Sequence, residues 1–329
     1  RTEQIHDPGQ AWNVLTVGAY TERVAIKSRL FSDYTPIAAR GGMAPCSSTS
    51  MTWHKAWPNK PDVVFEGGNA AREPGNEVAW KLEELRLLTT HHKPLDRMFA
   101  LTGDTSAATA LAARMGAQIL KHYPTLWPET VRALIVHSAR WTPAMKREFN
   151  PKYSPGRRNL LRCYGYGVPD LNRALWSASN SLTLVVQDEL QPFRKKGSDI
   201  KTGEMHVHAL PWPIDELRAL GGTLVRLRVT LSYFVEPNPG KRGLKSKNVY
   251  PSHRLTFDVR RPAETLETFE KRVNRARWDK PNDPKSRPKI DTEDPNWLLR
   301  SNLRSRGSIH SDVWEGTATD LADRGYLAV

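Results

Sequence analysis

Leu101-Thr102-Gly103-Asp104-Thr105-Ser106-Ala107-Ala108-Thr109-Ala110-Leu111-Ala112-Ala113-Arg114 is the stretch on which the reading of this chain turns. A turn of small residues delivers one hydroxyl, that of Ser106, to the start of a helix whose apolar stripe runs through Ala107, Ala108, Leu111, Ala112, Met115, Ile119 and Leu120. A serine there is exposed and lies at the positive end of a helix macrodipole, which suits a nucleophile next to developing negative charge. The competing reading is a helix cap, in which Thr105 or Ser106 accepts hydrogen bonds from orphan backbone N–H groups.

Downstream of this stripe, Tyr123 and Pro124 end the helix, and Pro128-Glu129 opens a second one through Val131, Leu134 and Ile135 to about Ala139. Gly165-Tyr-Gly-Val-Pro169 reads as a turn, and Asp170 to Leu175 as the start of a short helix. Upstream, the apolar run Val14 to Val17 before Gly18 reads as a buried strand, and Asp62-Val-Val-Phe65 as a second strand entering the turn Glu66-Gly67-Gly68-Asn69. Between them, Tyr34 to Ser50 reads as loop, while Asn76 to Leu88 fits helix and strand equally. Short strands separated by small-residue turns and helices predict an α/β layer.

Beyond about Trp176 the pattern changes. Ser181–Val186, Glu204–Ala209, Thr223–Phe234 and Arg254–Val259 read as strands, with turn signals such as Pro237-Asn-Pro-Gly240 between them, and predict an antiparallel β-sandwich. The domains expected are therefore residues 1–178 and 179–329.

Composition bounds what such a chain can be. With 329 residues, 39% hydrophobic and 26% charged, it has room for one large or two medium soluble domains. No run of about eighteen apolar residues is present and the first thirty residues lack a signal-peptide core, so no membrane association and a cytoplasmic location are expected. The two cysteines, Cys46 and Cys163, are too few for a disulfide framework. The net charge of +14 raises the question of a polyanionic partner, since Lys271 to Arg306 interleaves many basic residues with Trp278 and Trp297. The same segment carries Asp279, Asp283, Asp291, Glu293 and Asp294 beside several prolines, so a solvated loop at about 271–307 is the preferred reading.

The order of these pieces resembles the C-terminal half of a subtilase, a subtilisin-like serine peptidase. The residues that carry the resemblance are Val17-Gly18-Ala19, Lys60-Pro61-Asp62-Val63, Gly67-Gly68, Asp104-Thr105-Ser106, Pro128 to Ala139 with its His137-Ser138-Ala139 tail, and Gly165-Tyr166-Gly167 leading to Ala174. The resemblance covers roughly the first half of the chain and implies a fold: a subtilisin-like parallel-sheet domain, C-terminal half only, followed by the β-sandwich. It implies Ser106 as nucleophile of a Ser-His-Asp triad attacking a peptide bond of a polypeptide substrate. In the family's order Asp and His precede Ser, so both partners and the oxyanion-hole Asn are expected upstream of this chain, and the chain alone is expected to be inactive. His122 lies sixteen residues along the helix from Ser106, about 24 Å away.

Three positions depart from the family pattern. Asp104 stands where glycine is usual, Ala110 where proline is usual, and Leu111 where histidine is usual. If the glycine position needs a positive φ, Asp104 takes it at a cost, and its carboxylate would oppose the negative charge of a tetrahedral intermediate. This favours a rival reading, a pseudo-protease scaffold whose β domain binds a protein or nucleic-acid partner. No cofactor is implied. His206 and His208 share a strand face, but a third metal ligand is missing, and a polar face is the better reading. For Asp62 with Glu66, a strand-and-turn role accounts for Asp62 without calcium.

Overall fold

The computed structural model describes residues 3–54, 57–180, 182–236, 253–278 and 293–329. The chain forms two compact units, Arg1–Leu175 and Trp176–Val329, mixed α/β throughout. Among the described residues no helix is long and apolar enough to cross a membrane.

The first unit centres on β1 (Val17–Thr21), flanked by β3 (Gly42–Met43), which runs antiparallel, and β4 (Val63–Glu66), which runs parallel. The register Val17↔Val63 to Tyr20↔Glu66 sends Ala19 and Phe65 to one face and Val64 and Tyr20 to the other, by the two-residue period of a strand. Helix α1 (Asp104–His122) packs on the first face. Its buried Ala107, Ala108 and Ala112 bring the helix close to the sheet, where Ala19, Ala44 and Ala108 form one buried cluster. The second face is covered by Met145 of α3 (Pro143–Glu148) and by Leu160, Cys163 and Tyr164 of α4 (Ser154–Tyr164). A sheet covered by helices on both faces is the expected α/β layer.

Helix α2 (Pro128–Ser138) starts on a proline with Glu129 in its first turn, both as expected. The glycine-rich turn after α4 is enforced by close packing. A Cβ on Gly165, at φ +56°, would lie 2.2 Å from the Asp62 carbonyl oxygen, so this turn sits directly on the Lys60-Pro61-Asp62 segment. Lys60 and Asp62 are both buried there and paired at 2.7 Å. Asp62 Oδ2 also accepts from Thr16 N–H at 2.7 Å, and the Lys60 ammonium donates to the Val14 carbonyl at 2.8 Å.

Several expected boundaries shift. The strand expected from Val14 begins only at Val17, because residues before it spend their hydrogen-bonding groups on Lys60 and Asp62, leaving the Val14 side chain exposed. The loop Tyr34–Ser50 contains β2 (Thr35–Pro36) as well as β3. The ambiguous Asn76–Leu88 is neither one helix nor one strand. After β5 (Ala71–Arg72) it yields β6 (Val78–Ala79), a single 3-10 turn at Glu83–Leu85, and the first residues of β7 (Leu87–Thr90), which pairs with β8 (Phe99–Thr102) as a hairpin. Helices α3 and α4 were not anticipated. Helix α5 (Leu171–Ser179) forms where Asp170–Leu175 suggested.

In the second unit the pairing is antiparallel, as expected, but spread over small sheets. These are the hairpin β9 (Phe193–Lys196) with β10 (Asp199–Thr202), the set β11 (Val207–Ala209), β13 (Asp258–Val259) and β15 (Tyr326–Ala328), and the long pair β12 (Leu224–Ser232) with β14 (Ile309–Thr317). Helices α6 (Ile214–Ala219), α7 (Leu266–Trp278), α8 (Arg300–Arg304) and α9 (Ala318–Ala322) lie among them. The strand expected at Ser181–Val186 is absent from its described residues 182–186, where Leu182, Leu184, Val185 and Val186 are exposed and pair with no ladder. The Pro237–Gly240 turn lies outside the described residues.

The basic segment is a further correction. Residues 271–278 are the end of α7 rather than loop, because Phe269 and Val273, four apart, are buried together and Arg272 forks onto Glu264 and Asp258. Residues 279–292 lie outside the described residues. Arg304, in α8, is buried against Asp312 at 3.1 Å and lies over the rings of Phe257 and Trp297. These two arginines serve the unit's own packing.

Candidate active site

Three pieces of the first unit converge on the start of α1. The first is β4 and its glycine turn. Gly67 accepts the Asp104 N–H at 2.7 Å and donates to the Tyr20 carbonyl at 3.0 Å, and a Cβ on Gly67 would lie 2.5 Å from that of Ala19. Only glycine lets the turn sit this close to the sheet while holding the helix start. Gly68, at φ +82°, then directs the chain away, its N–H bonded to Glu66 Oε1 at 2.7 Å.

The second piece is the β7–β8 hairpin. Its register pairs Leu87 with Thr102, so one step further Arg86 falls opposite Gly103. There the guanidinium lies so near the backbone that a Cβ on Gly103 would be 2.4 Å from Arg86 Cζ. From that position Arg86 donates twice to the Asp104 carboxylate, at 3.0 and 3.2 Å.

The third piece is the helix start itself. Asp104 has φ +65°, the left-handed region that favours glycine. Gly103 is the N-cap and offers no side chain, so the first N–H groups of α1 receive no side-chain cap. Ser106, the third residue of α1, is exposed, and among the described residues its hydroxyl has no hydrogen-bond partner. The capping role considered for Thr105 or Ser106 is not used.

Electrostatics at the turn follow from these contacts. The hydrogen bonds from Arg86, with its charge, hold the Asp104 carboxyl below the usual carboxylate range, and a bond from Cys46 adds to this. Burial, with the Asp104 charge beside it, pushes the half-buried Cys46 thiol up to about 12. Asp104 is therefore a paired anion at the helix N-terminus, and Cys46 stays protonated.

The histidines are elsewhere. His122 closes α1 with Nδ1 at 2.8 Å from the Gln118 carbonyl oxygen, and His137 is in the last turn of α2. The rings of His91 and His92 lie 4.3 Å apart, tilted by 46°, at the hairpin loop, and His6 meets Glu3. Ser138 is buried, its hydroxyl donating to Ile135 and accepting from Asp170 N–H, as suits a helix-end residue. In the second unit His206 and His208 stand 6.3 Å apart, ring to ring, with Asp188 on His206 at 2.9 Å. Among the described residues no group of three His, Cys, Asp or Glu side chains is placed to hold a metal ion.

Arg86 and Cys46 are what the sequence did not reveal. Each is far from Ser106 along the chain, and only the hairpin register or the approach of the 44–47 loop to β1 brings it there. The lone signal for Arg86 is the Asp104 carboxylate, which needs a cation.

Comparison with known proteins locates the likeness on the same elements. A curated protein of Sinorhizobium fredii, described only as "Uncharacterized protein y4bN", is 27% identical over 286 residues, which is 84% of this chain and 60% of that protein. The chain thus spans about 60% of the length of this curated relative. The family model described as the subtilase family matches residues 1–167, which contain the glycine turn, the hairpin, Ser106 and all of α1 to α4. Because that match takes in more than half of the 329 residues, this chain belongs to the subtilase family of serine peptidases.

Proposed function

We propose that the protein carrying this chain is a serine endopeptidase that cleaves polypeptides through an acyl-enzyme on Ser106, and that the first unit is the C-terminal half of a subtilisin-like parallel-sheet catalytic domain. The observation that carries this reading is the exposed, uncapped Ser106 at the N-terminus of α1, within the family-matched region. Its Oγ attacks the scissile carbonyl while a histidine takes the proton and an aspartate orients that histidine. Following the family's order, His, Asp and the oxyanion-hole Asn come from sequence upstream of residue 1. The helix dipole of α1, with its first N–H groups other than that of Asp104, which Gly67 holds, faces the developing oxyanion. Because a hydroxyl without its base is a weak nucleophile, residues 1–329 alone are expected to be inactive.

A fluorophosphonate probe tests both parts. The full-length protein should be labelled at Ser106, with Ser106→Ala unlabelled, and the fragment should react far more slowly. Absence of labelling in the full-length protein would favour a pseudo-protease whose second unit binds a partner. Labelling of the fragment at the full-length rate would instead remove the claim that its base lies upstream.

A further inference from the structure

The Asp104 carboxylate poses a problem for the Ser106 reading, and the structure holds an answer to it. An anion two residues before the nucleophile repels the negative charge that builds on the substrate oxygen during acylation. The left-handed φ of +65° at Asp104 also costs more for a residue with a side chain than for glycine. Both conditions meet one side chain. Arg86 is largely buried, is placed opposite Gly103 by the hairpin register, and grips both carboxylate oxygens in the two-pronged geometry that lysine cannot reproduce.

We propose that Arg86 is a positioning residue of the active site, one that neutralises Asp104 and clamps the left-handed first residue of α1 so that Ser106 meets a turn of no net charge. The proposal rests on Ser106 being the nucleophile. It assigns to the β7–β8 hairpin, through its register, the task of carrying a cation to the nucleophile turn. Gly103 is required for the same reason, since any side chain there would occupy the guanidinium's place. The Cys46 thiol, donating to the same carboxylate, is the third group of the arrangement.

The test is a double-mutant cycle in the full-length protein, read as kcat, KM and the fluorophosphonate labelling rate. Arg86→Gln leaves the carboxylate unpaired and should lower kcat and the labelling rate on the order of tenfold, the scale of one uncompensated charge near a partly solvated site, with little change in KM. Arg86→Lys, which keeps the charge but not the two-pronged grip, should recover part of that loss. In the Asp104→Gly background there is no charge to neutralise, so Arg86→Gln should change the rate by less than about twofold. An equal loss in both backgrounds would overturn the proposal by making Arg86 a mere support of the hairpin. Wild-type labelling with no effect of Arg86→Gln would overturn it alone, whereas a wild-type protein never labelled at Ser106 removes the nucleophile assignment and this proposal with it.

Discussion

Gly67→Ala measures how tightly the sheet and the nucleophile turn are coupled. The added methyl would sit 2.5 Å from Ala19 Cβ, whereas carbons in contact rest about 3.5–4.0 Å apart, so something must move by about 1 Å. Ala19 cannot give way. It is fully buried in β1, its N–H bonded to Ser47 Oγ at 3.0 Å and its carbonyl to Ala44 N–H at 3.1 Å. The movement therefore passes to the other side of Gly67, where its carbonyl holds the Asp104 N–H at 2.7 Å, two residues before Ser106. Overpacking of this kind costs about 1–3 kcal/mol, roughly 2–4 °C in Tm for each kcal/mol in a domain of this size. A 1 Å displacement of a reacting group costs on the order of a hundredfold in rate. The expected result for the full-length protein is thus a modest loss of Tm, fluorophosphonate labelling slowed about a hundredfold, and faster hydrogen exchange at the Asp104 amide. Ala19→Gly combined with Gly67→Ala removes the colliding methyl and should return most of the labelling rate, though not all of the stability, since a glycine in a strand is itself destabilising by roughly 0.5–1 kcal/mol. Wild-type labelling by Gly67→Ala, or a double variant no faster than the single, would refute the coupling.

Two further tests concern buried charge. Lys60→Met leaves Asp62 buried without its cation and should cost about 3–5 kcal/mol in denaturant unfolding, while Lys60→Met with Asp62→Asn should regain most of it. Burial already holds the Lys60 ammonium below its usual range, against the pull of Asp62, which is why the pair stands or falls together. In the second unit, burial pushes His310 down to about 3, with Arg254 and Arg304 adding to the effect and the Gly307 carbonyl opposing it. The folded-state value lies below the unfolded value of about 6.5, so the unfolded chain binds the proton first. The stabilisation is complete above about pH 6.5 and falls as pH drops towards 3, at roughly 1.4 kcal/mol per pH unit for this one group. The difference in unfolding free energy between wild type and His310→Gln, followed from pH 7 to pH 5, should therefore shrink on acidification, and a constant difference would contradict the burial of a neutral imidazole.

Local order was legible wherever a periodic pattern had only one way to be buried. The alanine stripe of α1 and the proline start of α2 were plain in the sequence because helical spacing and capping chemistry are local. The long strand β12 was legible for the same reason, from its alternation. Ser181–Val186 misled because a strand needs a partner edge, and an apolar run says nothing of whether one is available. The basic stretch misled in the other direction. Its acids and prolines suggested a solvated loop, yet Arg272 and Arg304 are held by Asp258, Glu264 and Asp312, which lie just outside that stretch.

The same division runs through the active site. The sequence by itself determined the family resemblance, the helix, the hydroxyl at its start and the anomaly at Asp104, since each is a matter of residue type in a short window. Only the tertiary structure decided what that anomaly means. A left-handed φ, the N–H bond to Gly67, and a guanidinium forked onto the carboxylate arise from the β1–β4 pairing and the β7–β8 register. Hydrogen-bond registers join residues by their place along paired strands rather than by their distance along the chain, so no local window contains Arg86 and Asp104 as partners.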